Sequence, residues 1–339
     1  MFRTQFMVRC WYLLAGLAAA TPALAADKTL DRSFKVAAGG RLNVAAEVAD
    51  IEVTGGSANE VVVRIVMTGS QSTLDGLDLS AEQTGNDVAV TAMSKERRSG
   101  RERLEGRITV RVPAQYDVDL KTSGGNLTVA RLQGSTLGKT SGGNIRVTEL
   151  RGPVKMSTSG GDIAASAIQG DIDVQTSGGD ITAANVEGDV AARTSGGNVE
   201  VDNVVGATRA QTSGGNVVAR GARGDTRLQT SGGNISADVT GKIDAKSSAG
   251  DIRVQLNGPN QGISATTSGG SIELQLPRDI KATVDASSNG GTVRSDLATA
   301  ATQKSPQRLS GTINGGGEPV YARTSGGSVR LVERGSSQK

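Results

Sequence analysis

The sequence predicts an all-β chain, wound over most of its length as a right-handed parallel β-helix, a solenoid with 18-residue coils. Three observations carry this. The tetrapeptide TSGG begins at Thr122, Thr140, Thr158, Thr176, Thr194, Thr212 and Thr230, each 18 residues after the last. A second glycine column, Gly134, Gly152, Gly170, Gly188, Gly206 and Gly224, falls nine residues after the second glycine of each TSGG. Between these turns the pattern has period two: Ile181 and Ala183 share one parity, and Val190, Ala192 and Thr194 the next, which is strand patterning.

An 18-residue unit cannot fold alone. Ordering its backbone costs about 1–2 kcal/mol per residue, and about five small apolar side chains return at most ~1.5–3 kcal/mol each. Stacked like units supply the missing burial and pair every strand edge. Each strand then lies parallel to its counterpart in the next coil, about 4.8 Å away, and parallel crossovers are right-handed in most cases. Two turns per coil imply a flattened, two-faced section. A left-handed β-helix shares the period but wants an aliphatic residue every six, which positions 181, 183, 186, 190 and 192 break. A calcium-binding roll with G-G-x-G-x-D is the other alternative; here the run is G-G-N/D-I.

Taken in order, residues 1–25 read as a signal peptide: Arg3 and Arg9, an apolar run from Trp11 to Ala20, and Ala23-Leu24-Ala25 before the cut. The run is short of the ~20 residues of a bilayer span, so no transmembrane segment is expected once the leader is removed. Residues 26–120 read as an N-terminal β region capping the stack, with Val61-Val63-Ile65 and Ile108-Val110-Val112 alternating and VADIEVT (Val48–Thr54) resembling a degenerate coil. Residues 121–335 read as the repeats, about eleven coils, with weaker copies at Ser247, Thr267, Ser288 and Thr324. Two segments mirror each other, RVPAQYDVDLKTSGG (111–125) and QLPRDIKATVDASSNGG (275–291), each a strand ending at Pro113 or Pro277 followed by another strand. Residues 295–310 are expected to form an exposed loop and 336–339 a tail.

Composition narrows function. The chain has no histidine, one cysteine and 2% aromatic residues. Histidine acid–base chemistry, a Ser-His-Asp triad, disulfides within the chain and Cys-rich zinc sites are excluded. Leader removal takes away Cys10, Trp11 and two arginines, lowering the formal charge from +3 to +1. With that balance and no aromatic stacking platforms, a nucleic-acid partner is not expected, and no cofactor is implied. A cysteine-free mature chain suits an oxidising compartment.

The candidate site residues fall in columns. The TSGG threonines share parity with the inward side chains, so Thr122, Thr140, Thr158, Thr176, Thr194, Thr212 and Thr230 are expected to form a buried hydrogen-bonded ladder. That parity opposes an ice-binding role, which needs threonines turned outward. Asn126, Asn144, Asn198, Asn216 and Asn234, with Asp162, Asp180 and Asp251, follow Gly-Gly and are expected to bond their own turn backbone. Two aspartate pairs on adjacent coils, Asp162 with Asp180 and Asp171 with Asp189, would repel. Calcium, backbone N–H groups or solvent could relieve this, the last two being favoured. Paired acids also raise a polysaccharide-acting enzyme, which the minimal turns and missing aromatics disfavour. The basic run 95–103 reads as a solvated hairpin loop with a possible lipid or polysaccharide role. Lys121, Lys139, Gln175, Arg193, Gln211, Gln229 and Lys246, each before a repeat Thr or Ser, form an outward polar stripe, either a soluble face or a repetitive surface for a repetitive polymer.

The TSGGNI and TSGGDI repeats, the strand-Pro-strand-SNGG unit and the closing GTINGGG…YARTSGGSVRL (Gly311–Leu331) resemble the bacterial putative-adhesin family over about residues 34–332. The resemblance implies a β-helical fold and an exported envelope or surface protein, and some members are associated with envelope stress responses. It brings no catalytic residue set. The expected function is therefore a non-enzymatic exported scaffold, in the periplasm or at the cell surface, binding a polysaccharide, lipid or protein ligand. A periplasmic accessory of envelope stress sensing and a polysaccharide-acting β-helix enzyme are the alternatives.

Overall fold

The computed structural model describes residues 26–95 and 104–334. The leader, all but Lys95 of the basic run, and the tail lie outside the described residues.

Alternation places Ile181, Ala183, Val186, Val190, Ala192 and Thr194 inside, all buried, and like places stack coil on coil, with one register shift where Val217–Ala222 pairs Ile235–Val239. Ile163 pairs Ile181 and Ile181 pairs Val199 in one sheet. Ile172 pairs Val190 and Val190 pairs Thr208 in the other. The result, among the described residues, is two long sheets of 15 and 16 strands, parallel through the stack and antiparallel at the ends, enclosing one continuous aliphatic core. A one-residue slip would turn every side chain to the opposite face, so the burial pattern itself holds the register. A short helix, Gln71–Asp75, N-capped by Ser70, is the single helix among the described residues.

The coils do not stack in chain order. The first coil, strands Gly40–Ala46 and Asp50–Gly56, lies between the coil of Asp87–Ser94 and Glu105–Pro113 and the coil of Tyr116–Lys121 and Leu127–Gln133. The last coil, Pro319–Thr324 and Val329–Glu333, likewise slots between Ile263–Thr267 with Ile272–Leu276 and Ala282–Ser288 with Val293–Ser295. At both ends the chain therefore skips one coil position and fills it with a coil distant in sequence. The mirrored Pro113 and Pro277 segments are the two skips. Ala114 N–H bonds Gly56 O as the chain passes the first inserted coil, and Arg334 N–H bonds Leu276 O beside the second.

Antiparallel strands close the ends. Ala26–Lys35 pairs Glu60–Gly69, which pairs Glu105–Pro113, and Leu77–Thr84 pairs Asp87–Ser94. At the other end Arg308–Ile313 pairs Ala282–Ser288 and Ala300–Ser305 pairs Arg308–Ile313. Residues 295–310 are thus not a plain loop, because strand edges exposed at the end of a parallel stack would otherwise template association. The exposed strand Ala300–Ser305 blunts that edge.

Tyr116, at the first skip, is buried and donates its hydroxyl to Asn86 O. Burial, aided by the Asp87 carboxylate, pushes its pKa up to about 12. A raised pKa stabilises the fold below the unfolded value of 10 and loses that contribution as pH rises through 12. Chemical denaturation between pH 9 and 12 should show this decline, and Tyr116→Phe should flatten it.

Candidate binding face

The repeat threonines are buried, as their parity requires. Each works in two directions. Thr176 Oγ1 donates to Gly161 O of the preceding coil at 2.9 Å and accepts Gly179 N–H of its own turn at 3.4 Å. The donation recurs from Thr122, Thr140, Thr158, Thr194, Thr212 and Thr230, so the turn of each coil is tied to the next. By contrast Thr208, inward at the start of a strand of the 16-stranded sheet, is buried with no partner for Oγ1 among the described residues. Opposite outcomes follow for one substitution. Thr176→Val should cost about 1–3 kcal/mol and Thr208→Val should gain about 1 kcal/mol, both read by denaturation. Val190 already fills the Thr208 place one coil earlier.

The Asn/Asp column departs from the expectation of bonds within the turn. Each side-chain oxygen instead accepts the backbone N–H of the same position one coil on: Asn126 from Asn144, Asn144 from Asp162, Asp162 from Asp180, and Asp180 from Asn198. Asn198, Asn216 and Asn234 continue it. The reason is spacing, since a strand separation of about 4.8 Å brings the next N–H within reach of a two-atom side chain. At the ends the ladder runs Asp50 to Asn126, and Asp251 to Ser271 to Ser328 to Thr292, which is stacking order and not chain order.

The aspartate pairs sit in the same kind of contact. Asp171 Oδ1 accepts Asp189 N–H at 3.0 Å, and Asp189 Oδ1 accepts Ala207 N–H at 2.8 Å. Among the described residues no group of three or more His, Cys, Asp or Glu side chains converges to hold a metal. Asparagine keeps the accepting oxygen and removes the like-charge contact. Asp162→Asn with Asp180→Asn should therefore leave stability within about 0.5 kcal/mol or raise it; a loss above 1 kcal/mol would contradict the ladder.

The outward stripe before the threonines becomes a continuous column on the 16-stranded sheet. Its register runs Lys121, Lys139, Ser157, Gln175, Arg193 and Gln211. It continues through Gln229, Lys246, Thr266, Arg323 and Ser287, again in stacking order. Every member is a base, an amide or a hydroxyl, and all five bases are exposed. The neighbouring column is mixed, with Asp119, Asp173, Asp244 and Asp285 sharing it with Lys155, Arg209 and Arg227, and three of its acids meet the bases from one side. Lys121–Asp119 is 3.2 Å, Arg193–Asp173 3.1 Å and Lys246–Asp244 3.0 Å. Such exposed pairs are worth about 0–1 kcal/mol and open readily. The outer face of the 15-stranded sheet mixes signs throughout, with Arg220 bonded to Glu200 and Asp202, contacts that raise the arginine pKa, and Arg253 paired with Glu273.

One column escaped the sequence. Arg131, Glu149, Ala167, Asn185 and Asn203 all have φ between 54° and 57°, and Gly221 follows at 64°. This left-handed residue recurs in six successive strands of the 15-stranded sheet, and a groove of about 530 Å³ runs beside four of them, lined by Gln133, Glu149, Arg151, Gln169 and Glu187 among others. Only Asn185, Asn203 and Gly221 are residue types that favour that conformation; their 18-residue spacing was the available signal.

Among solved structures, a putative adhesin from Bacteroides fragilis is 13% identical with a TM-score of 0.36, over 90% of this chain and 97% of that one. A putative adhesin from Parabacteroides distasonis is 14% identical with a TM-score of 0.37, over 73% and 97%. A putative lipid binding protein from the same species is 17% identical with a TM-score of 0.34, over 73% and 97%. No curated protein matches the chain. The profile of the Toastrack DUF4097 family matches residues 40–332, from the first inserted coil through the last. The chain therefore belongs to the Toastrack DUF4097 family.

Proposed function

We propose that the protein is an exported, non-enzymatic β-solenoid that serves as a rigid binding scaffold at the cell envelope or surface. The observation that carries this reading is the donor column on the 16-stranded sheet. It presents bases, amides and hydroxyls in single file, one per coil, and no insertion interrupts the coils from Thr122 to Lys246. The core and the two inter-coil ladders make that face stiff, so little ordering entropy opposes binding along it. Export is supported by the leader-like pattern of residues 1–25. The non-enzymatic reading is supported by the ladder aspartates, whose Oδ1 atoms already hold backbone N–H groups.

The test is made in intact cells. Protease added outside should cleave the mature chain, and deletion of the gene should reduce attachment or surface binding. Periplasmic retention with a stress-dependent partner would overturn the surface reading. Turnover of a defined glycan, abolished by Asp162→Asn with Asp180→Asn, would overturn the non-enzymatic one.

A further inference from the structure

We propose that the ligand of this scaffold is a linear acidic polysaccharide, lying along the solenoid axis over the column from Lys121 to Ser287. The proposal rests on the scaffold reading and names the chemistry its face would take. Three observations support it.

The first is sign. The column carries five bases and no acid across eleven coils, a length of about 48 Å at one strand spacing per step. The second is what lies between the bases. Gln175, Gln211 and Gln229, with Ser157, Thr266 and Ser287, offer amide and hydroxyl donors and acceptors suited to the hydroxyls of a sugar chain. The exposed serines of the TSGG turns, such as Ser141 and Ser195, flank the column on one side.

The third is width. On the other side stands a mixed column, in which Asp119, Asp173, Asp244 and Asp285 alternate with Lys155, Arg209 and Arg227, and beyond it Asp117, Asp171, Asp189 and Asp225. A single anionic chain follows the bases and avoids these carboxylates. An anionic bilayer or a DNA duplex laid on the same face would press against them. The one track free of carboxylates over its whole length is thus a single file, which suits a chain of negative charge. The outer face of the 15-stranded sheet puts Glu200, Arg253, Glu273 and Arg330 in one column and so breaks its file of bases with acids.

The experiment titrates the full mature chain with polygalacturonate oligomers, using fully methyl-esterified polygalacturonate as the uncharged counterpart. Anionic phosphatidylglycerol vesicles and duplex DNA are the competing arms. The acid form should bind more tightly as oligomer length increases, and binding should weaken steeply with salt as counterions are released. Lys139→Gln, Arg193→Gln and Lys246→Gln together should raise Kd at least about tenfold, three charge contacts being removed. Arg146→Gln, Arg253→Gln and Arg330→Gln, on the opposite face, should leave Kd unchanged. All six sites are exposed, and a thermal melt checks that each variant is folded. Equal binding of the esterified polymer, equal effects of the two triple variants, or preference for vesicles or DNA would each overturn the proposal. Attachment lost on deletion, with no polyuronate binding in solution, would overturn the ligand class alone and leave the scaffold reading standing.

Discussion

Replacing Gly179 by alanine should cost about 3 kcal/mol or more, whereas replacing its neighbour Gly178 should change stability by no more than about 0.5 kcal/mol. The two residues are adjacent in one TSGG turn, yet they meet the preceding coil differently. A Cβ on Gly179 would lie 2.1 Å from Gly161 O and 2.5 Å from Gly161 C, both backbone atoms. A Cβ on Gly178 would lie 3.5 Å from Gly160 O, ordinary contact. Relieving the first clash requires the coils to part at the turn. That would stretch the Thr176–Gly161 bond and the Asp180–Asp162 bond that flank it. The same contrast holds for Gly197 against Gly196, with nearest approaches of 2.1 Å and 3.4 Å. Denaturation of the two alanine variants measures it. Equal effects would mean that the glycines serve turn flexibility alone and that the coils are not this close.

Ending the chain after Gly317 should be still more damaging. The terminal coil fills an interior slot, so its removal opens a gap in the stack and does not merely shorten it. Val320, Ala322, Val329 and Leu331 are fully buried there, and the three larger side chains alone represent about 5–9 kcal/mol of burial. Strands Ile263–Thr267 and Ala282–Ser288 would face each other across an empty strand position, with unpaired backbone groups on both sides. The truncated chain should aggregate or become protease-sensitive between residues 277 and 317. A synthetic peptide of residues 318–334 added in trans should restore resistance by strand addition. A truncated chain as stable and monomeric as the intact one would contradict the inserted position.

Much of this architecture was legible in the residues. The TSGG period set the coil, Ile181-Ala183 parity set the inside, and the inward threonines followed from the same parity. The order of stacking was not legible, for a physical reason. Every coil presents the same in–out pattern, so any two coils stack in register, and periodicity is silent about which neighbours which. Pro113 and Pro277 marked the skips without saying that a distant coil fills each one. The Asn/Asp column was misread for a related reason, because a lone turn offers an Asn only its own backbone, whereas a stack offers the next N–H as well. The left-handed column was hidden by Arg131, Glu149 and Ala167, residue types that do not favour that conformation. The outward stripe was visible as polar, but its course past Lys246, through Thr266 and Arg323 to Ser287, is set by the stacking order alone.

That order is the claim on which both the end closure and the donor column depend, and cross-linking tests it directly. In a Cys10→Ser background, cysteines are placed at Thr266 and Arg323 in one variant, and at Thr266 and Ser287 in another. A reagent with two thiol-reactive electrophilic groups, spanning about one strand spacing, ~4.8 Å, is added at low protein concentration. Inserted stacking makes Thr266 and Arg323 direct neighbours and puts Ser287 one coil further away. The first pair should cross-link rapidly within the chain and the second should not. Rapid cross-linking of Thr266 with Ser287, and none with Arg323, would show coils stacked in chain order and contradict the account.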